Sequence, residues 1–569
     1  MPELLRQFRE LSRLFFGRFL DNDLISLDGD TKGTVLGVLG LMVAPGLFVP
    51  FFEFVMYSSV PLCDQPWWAR DLVAAADKVL HLGLSMMVLG VVTVLEWEAL
   101  LPDRRDYAVL KPLPVGMGTM LGAKVWALAK FWLVFTVLLN GAALVLFPAA
   151  VLQKSSLDLQ VWYMRCHAVA VLAGNAFIFL AMVAVQGVLL NVLGWRGYRR
   201  WAPYVQSILI AALVGMFFLS LGASLDINPG QGAYGVVKYL PPVWFVGLYE
   251  TELGWAQPGF RELAAQAWSA LGLAGGVAAA AYALSYRRSV RQLFEQGEGP
   301  GNAPSRPRLA MTAVVDRWLL RSTGERAAFH FVCDTLTRSR SHRVLVGGYA
   351  GVGLAVVFQS FAGMMASGAR TWWESPSGLL LPAQLVLGLF MLSGLRYAFS
   401  VPAELKANWV FQTAGSLDGA ECLRGVRKAV AAIGILPLYC VLGVVHVWLW
   451  GWKAGGLHTL YGLVVAWMTM EVMLVGMEKL PFTCSYVAGK TDLKASWPLF
   501  AGGYVAYVGS FSYLELRLQA NARCWAGFAA LAVLVKLGVE WFRRREAGEF
   551  ALVYDERAEP AVRTLDLAQ

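Results

Sequence analysis

The chain has 569 residues, 57% hydrophobic and only 15% charged, with a formal net charge of +9. A soluble protein carries about a quarter charged residues, and a soluble core explains one apolar run of about twenty residues, not about twelve. The composition excludes an ordinary soluble protein, and the runs are too long and helix-like for barrel strands.

Residues 1–33 come first. Arg6, Arg9, Arg13 and Arg18 alternate with apolar residues at helical spacing in LLRQFRELSRLFFGRF. The segment reads either as an interfacial helix lying along the membrane or as a plain soluble helix before the first span. It does not read as a cleavable signal peptide.

Six spans are expected over 34–56, 79–100, 125–150, 167–193, 204–225 and 264–286, and six more over 344–364, 378–399, 429–450, 457–478, 497–515 and 524–541. The expected fold is an all-α polytopic membrane protein of about twelve transmembrane helices in two parallel six-helix repeats. The domains are then an N-terminal amphipathic segment 1–33, a membrane domain 34–286, a basic linker and pre-helix 287–343, a second membrane domain 344–541 and a tail 542–569.

Charge bias supports this layout. With the N-terminus inside, 36 of the 48 Lys and Arg fall on the inner side and 10 on the outer, while Lys130 and Lys536 lie within spans. That is the asymmetry of the positive-inside rule. It places the chain in the cytoplasmic (inner) membrane with both termini cytosolic. Anionic headgroups of membrane lipids suffice as partners for the excess positive charge, so no nucleic acid is needed.

Three features recur in order in the two halves. A charged pre-helix precedes each; the second, after the Gly/Pro-rich EQGEGPGNAPSRPR, carries Arg317, Arg321, Arg326 and Arg338. A tryptophan pair follows each first span, Trp67–Trp68 and Trp372–Trp373. A proline-charge segment follows each second span, at Pro102 and Pro402. An even number of spans per half gives both halves the same orientation.

The segment LPDRRDYAVLKPLPVGMGTMLGAK, Leu101–Lys124, is the most distinctive. Asp103, Arg104, Arg105 and Asp106 do not enter lipid cheaply. Pro112 and Pro114 interrupt any continuous helix, and Lys124 stands where the chain re-enters the membrane. The stretch reads as a stiff element bearing on a cytosolic partner, or simply as a charged inner loop. It resembles the first cytosolic loop of ABC-2 type exporter permeases, in which a charged run leads to an L-P-V-S stretch and a lysine before the third span; Gly116 stands here where that family often has serine. The resemblance implies a six-span permease domain whose loop contacts a separate cytosolic ATPase, and export of a lipid, glycan, drug or other amphipathic cargo. It leaves room for further membrane or periplasmic subunits. The second segment, VPAELKANWVF, lacks the L-P-V stretch.

Few charges sit within the spans. Glu96 and Glu98 lie near the inner end of the second, and Glu471 lies well inside the tenth. An ionisable group in lipid is a default candidate for function, although a hydrogen-bonded structural role fits these residues as well. Asn140, Asn175, Gln186 and Asn191 read as helix-packing groups. On the outer side, Trp244, Phe245 and Tyr249 in YLPPVWFVGLYETELG suit an interfacial anchor or a lip over a substrate path.

No GxxxxGK[ST] phosphate loop occurs, so ATP hydrolysis is expected from another polypeptide. The seven cysteines form no CxxC pair, the six histidines form no HExxH, and no cofactor or metal site is expected. Cys484 has no local histidine as a base, and no loop gathers a catalytic set. The leading expectation is a permease subunit rather than an enzyme. An ion-coupled secondary transporter, or a membrane enzyme or assembly protein, are the alternatives.

Overall fold

Each of the twelve apolar runs lies on helix over most of its length in a computed structural model of the chain. The physical cause is the solvent. A backbone in hydrocarbon satisfies its N–H and C=O groups within its own segment, which for an isolated run means a helix. The structure describes residues 2–20, 31–58, 67–100, 115–153, 155–223, 227–228, 232–233, 238–254, 258–295, 315–317, 319–366, 380–403, 419–475, 477, 480–483, 493–521 and 523–546. Among these, seven helices are long and apolar enough to cross a membrane, and two of the seven contain a sharp turn.

The chain divides into two compact units, Met1–Gly299 and Pro300–Gln569. The first holds α1 (Pro2–Leu20), α2 (Thr31–Ser58), α3 (Trp67–Leu95), α4 (Met117–Val151), α5 (Leu157–Ala223), α6 (Pro241–Glu252) and α7 (Pro258–Glu295). Two-residue strands Ile227–Asn228 and Gly232–Ala233 pair antiparallel. The second unit holds α8 (Thr323–Arg338), α9 (Arg340–Ala366), α10 (Ala383–Ala398), α11 (Gly419–Val430), α12 (Leu436–Met473), α13 (Leu493–Ala520) and α14 (Cys524–Glu546). A π-helical turn, Ala431–Ile435, joins α11 to α12.

The two helices with sharp turns are helical hairpins. Gly194 has φ 64° and Gly451 has φ 74°, a left-handed conformation that only glycine adopts without strain. In α12 the arms pack antiparallel: His446 Nδ1 lies 2.9 Å from Thr459 Oγ1 across the turn. Gly455 meets the backbone of His446 so closely that a Cβ there would come within 2.2 Å of its carbonyl oxygen. In α5, both Ile178 and Leu213 lie against Gly90 of α3, so both arms pack on α3. One such hairpin thus contains the expected fourth and fifth spans, and the other the ninth and tenth.

In unit 1, α1 packs on α4, burying Leu11, Ser12 and Phe15. Lys130 Nζ of α4 donates to Ser12 Oγ at 3.2 Å. In unit 2, the pre-helix α8 packs on α11, burying Ala328, Val332 and Leu336 against Cys422, Val426 and Ala429. In unit 1 the charged helix that precedes the first span therefore lies against the third, whereas in unit 2 it lies against α11, the amphipathic helix that leads into the expected ninth span. The first spans differ: α2 packs mainly on α4, whereas α9 packs mainly on α10.

Much apolar surface faces outward. Phe48, Phe51, Phe52 and Val55 of α2 are exposed, as are Val533, Leu534 and Leu537 of α14. Trp448 and Trp452, beside the Gly451 turn, are more than 80% exposed, at 81% and 83%. Exposed apolar area on this scale is untenable in water and ordinary in lipid, where tryptophan collects at the interface. The protein is a polytopic integral-membrane protein.

Candidate functional site

The C-terminal end of α3 leads into the charged segment. The last carbonyls of a helix have no partner within it, and here other helices supply them. Gln206 Nε2 of α5 donates to the Val94 carbonyl at 2.7 Å. Gln186 Nε2, also of α5, donates to the Trp97 carbonyl. Lys124 Nζ of α4 donates to the Ala99 carbonyl at 2.5 Å. Tyr282 Oη of α7 donates to the Leu100 carbonyl at 3.2 Å. These side chains form a collar binding the end of α3 and the helical turn Trp97–Leu100 that follows it to three other helices.

The collar is dry. Trp97, Leu100, Lys124, Gln186 and Gln206 are all buried. Lys124 also lies 5.1 Å from the centroid of the Phe15 ring of α1. A cation at a helix C-terminus is favoured by the helix dipole, and an aromatic face adds to that. Lys124, singled out from sequence for re-entry into the membrane, thus closes the base of the segment that begins at Leu101. Asp103, Arg104, Arg105, Asp106, Pro112 and Pro114 lie outside the described residues. Glu96 is buried beside the collar, and the side chain of Glu98 lies outside the described residues.

In unit 2 the corresponding end of α10 is held differently. Phe482 N–H donates to the Phe399 carbonyl at 3.0 Å, and Ala403 N–H donates to the Phe482 carbonyl at 3.1 Å. His342 Nε2 lies 2.9 Å from the Val401 carbonyl oxygen. Phe482 has φ 66°, unusual for a bulky residue. Its ring packs on those of His342, Phe331 and Phe399, which holds that backbone in place. Of the second segment, only its start, Val401–Ala403, is described, and it rests on the loop that follows α12.

Glu471 is buried near the end of α12, and two arginines meet it. Arg543 Nη1 of α14 lies 2.7 Å and Arg427 Nη1 of α11 lies 3.3 Å from the same oxygen, Oε2. Arg543 Nη2 also donates to the Glu471 carbonyl at 3.2 Å. One carboxylate thereby ties three helices together. A second carboxylate does similar work on the pre-helix. Ser322 caps α8 by accepting from Glu325 N–H, and Glu325 accepts from Lys428 Nζ at 2.6 Å, Arg424 Nε at 2.9 Å and Arg321 N–H at 3.1 Å. Burial opposes its charge, but these hydrogen bonds prevail and hold the carboxyl down to about 2.

The aromatic segment sits at the opposite end of unit 1. Pro241 at the first turn of α6 suits a helix start. Trp244 is partly exposed and donates Nε1–H to the Lys238 carbonyl at 2.7 Å. Phe245 and Tyr249 are buried in the unit. Between them and α3 lies a pair that sequence reasoning missed. Lys78 Nζ is 2.5 Å from Glu250 Oε1, with both residues buried. The ammonium lies 4.8 Å from the centroid of the Tyr249 ring and 5.3 Å from that of Tyr163. Beside it, His81 Nε2 is 2.9 Å from Glu53 Oε2, and Tyr57 Oη donates to Asp77 Oδ2 at 2.7 Å. The signal available in sequence was Asp77, Lys78 and His81 sharing a face at helical spacing, with Glu53 inside the first span.

The geometry gives two mechanical collars, a double-arginine clasp and a buried charge cluster. Among the described residues, no group of three His, Cys, Asp or Glu is arranged to hold a metal ion. No family model matches this chain, and neither a curated protein nor a solved structure matches it.

Proposed function

We propose that this protein is the permease part of an ATP-driven exporter, with ATP hydrolysed by a separate cytosolic subunit pressing on the segment 101–124. The observation that carries the reading is the collar. A loop resembling the coupling loop of ABC-2 permeases begins on a helical turn, Trp97–Leu100, bonded to α4, α5 and α7 at once. Force applied to such a loop moves three helices rather than one. On this reading the chain crosses the inner membrane twelve times as two parallel six-helix repeats, with both termini cytosolic. Each pre-helix packs on the helix that forms the third span of its unit or leads into it, which supports the repeat. The cargo class is a hydrophobic or amphipathic molecule such as a lipid, glycan or drug.

The test is copurification from native membranes with and without Arg104→Ala and Arg105→Ala. The expected result is an ATPase that copurifies with the natural chain and is lost from the variant, with membrane insertion unchanged. Unchanged complex formation and unchanged partner-stimulated transport remove the role of these arginines.

A second reading, an ion-coupled secondary transporter, is favoured by one observation: the buried acids around Lys78 and His81. A gradient-driven flux with no ATPase, abolished by Glu471→Gln, selects it.

A further inference from the structure

Four of the chain's six histidines gather in two buried clusters, one in each unit, and each cluster has the same make-up. In unit 1, Glu53 of α2 meets His81 of α3 at 2.9 Å, and the His81 ring lies 5.8 Å from that of His167 on α5. In unit 2, Glu515 of α13 meets His458 Nδ1 of α12 in a short contact, and the His458 ring lies 4.5 Å from that of His446. All six groups are buried. Both clusters are two imidazoles and one carboxylate. In both, a bulky ring from the third span closes the pair: Phe147 lies 5.3 Å from His167, and Trp450 lies 5.3 Å from His458.

Two features set these clusters apart from packed polar cores. Several polar atoms have no hydrogen-bond partner among the described residues: Nδ1 and Nε2 of His167, Oε1 of Glu53, Nε2 of His458 and Oε2 of Glu515. Leaving such groups unmet is unfavourable. The fixed charges also fail to cancel. Among the described residues, Glu53, Asp77 and Glu250 stand around the first cluster against Lys78, which pairs with Glu250, while Arg165 beyond it pairs with Glu252. The remaining titratable neighbours there are Tyr57, Tyr163, Cys166 and Tyr249. Around the second, Glu515 faces Gln384, Tyr439, Tyr461 and Tyr507, and among the described residues no Lys or Arg pairs with it.

A buried carboxylate without a counter-charge is strongly unfavourable. A cation must therefore come from outside the fixed side chains. Hard metal cations take oxygen ligands, whereas the free atoms here are mostly imidazole nitrogens, which are proton acceptors near neutral pH. We infer that each unit holds an exchangeable proton, shared among Glu53, His81 and His167 in one and among Glu515, His458 and His446 in the other. This goes beyond the exporter reading and does not depend on it.

The test uses the full chain in lipid nanodiscs, with histidine as the only 15N-labelled residue and His330→Gln and His342→Gln removing the two imidazoles outside the clusters. Imidazole nitrogen signals are followed from about pH 8 to pH 5, with the protonated-carboxyl infrared band recorded in parallel. Expected is a doubly protonated imidazole, or a protonated carboxyl, in each cluster by the acid end of the range. Glu53→Gln is expected to abolish the transition of its own cluster and leave that of the other in place, and Glu515→Gln to do the converse. Replacing sodium by choline is expected to change nothing. Four imidazoles that stay neutral throughout with no carboxyl band overturn the inference, as does a spectrum set by sodium rather than pH. The titration of the chain with both glutamates intact decides this even where a glutamate variant fails to fold.

Discussion

Lys78 and Glu250 stand 172 residues apart in the chain and 2.5 Å apart in space, both buried. They join α3 to the short helix α6. Removing one member of such a pair strands the other charge, which costs about 3–5 kcal/mol, whereas replacing both by apolar residues is often neutral. Lys78→Met is therefore expected to lower the melting temperature of the detergent-solubilised protein markedly. Lys78→Met with Glu250→Leu is expected to recover most of that loss. A loss in the double variant equal to the sum of the losses in Lys78→Met and Glu250→Leu alone would show that the pair adds nothing.

Lys124 offers a test of the collar. Lys124→Met keeps the length of the side chain but leaves the Ala99 carbonyl unmet, at a cost of about 1–3 kcal/mol. Because Gln186, Gln206 and Tyr282 still hold neighbouring carbonyls, the fold is expected to survive. The loop base should loosen locally. Hydrogen exchange of amides at 115–124 is expected to speed up, with exchange in α6 unchanged.

For Glu471, Gln in its place leaves Arg427 and Arg543 facing each other without the carboxylate. Both guanidinia keep some solvent contact, with side chains 25% and 22% exposed, so the loss is moderated. A destabilisation of about 1–3 kcal/mol is expected. Adding Arg427→Met to Glu471→Gln should return part of it, read as denaturant midpoints.

Glu325 carries a pH dependence. Its carboxyl, ordinarily near 4.5, is held down to about 2 in the folded chain. A depressed acid stabilises the fold above its unfolded value, and that contribution is lost as pH falls through the folded one. Docking of α8 on α11 is expected to weaken between about pH 4.5 and 2, followed by proteolysis at the α8 end or by exchange. In Glu325→Gln the docking is weaker at neutral pH and nearly flat across that window.

Much of the fold was legible in the amino-acid order. Twelve apolar runs were expected, and helix covers each over most of its length, because in lipid the backbone of each run must satisfy itself. The pre-helices were legible from arginines at helical spacing. The turns at Gly194 and Gly451 were less so, since a glycine in an apolar stretch signals packing as often as reversal. Of the site, Lys124 and Glu471 were legible as charges out of place. Their partners were not: the Ala99 carbonyl carries no sequence signal, and Arg427 and Arg543 read as ordinary inner-side positive charges.

The sequence by itself determined that the chain lives in a membrane, where its helices run and which ends are rich in positive charge. These follow from local composition, since about twenty apolar residues in a row have one stable solution. Only the tertiary structure decided which polar groups meet. Glu53 with His81, Glu515 with His458, and Lys78 with Glu250 depend on how each helix is rotated about its axis and how closely its neighbours approach. That is a property of packing between distant segments, and no local pattern carries it.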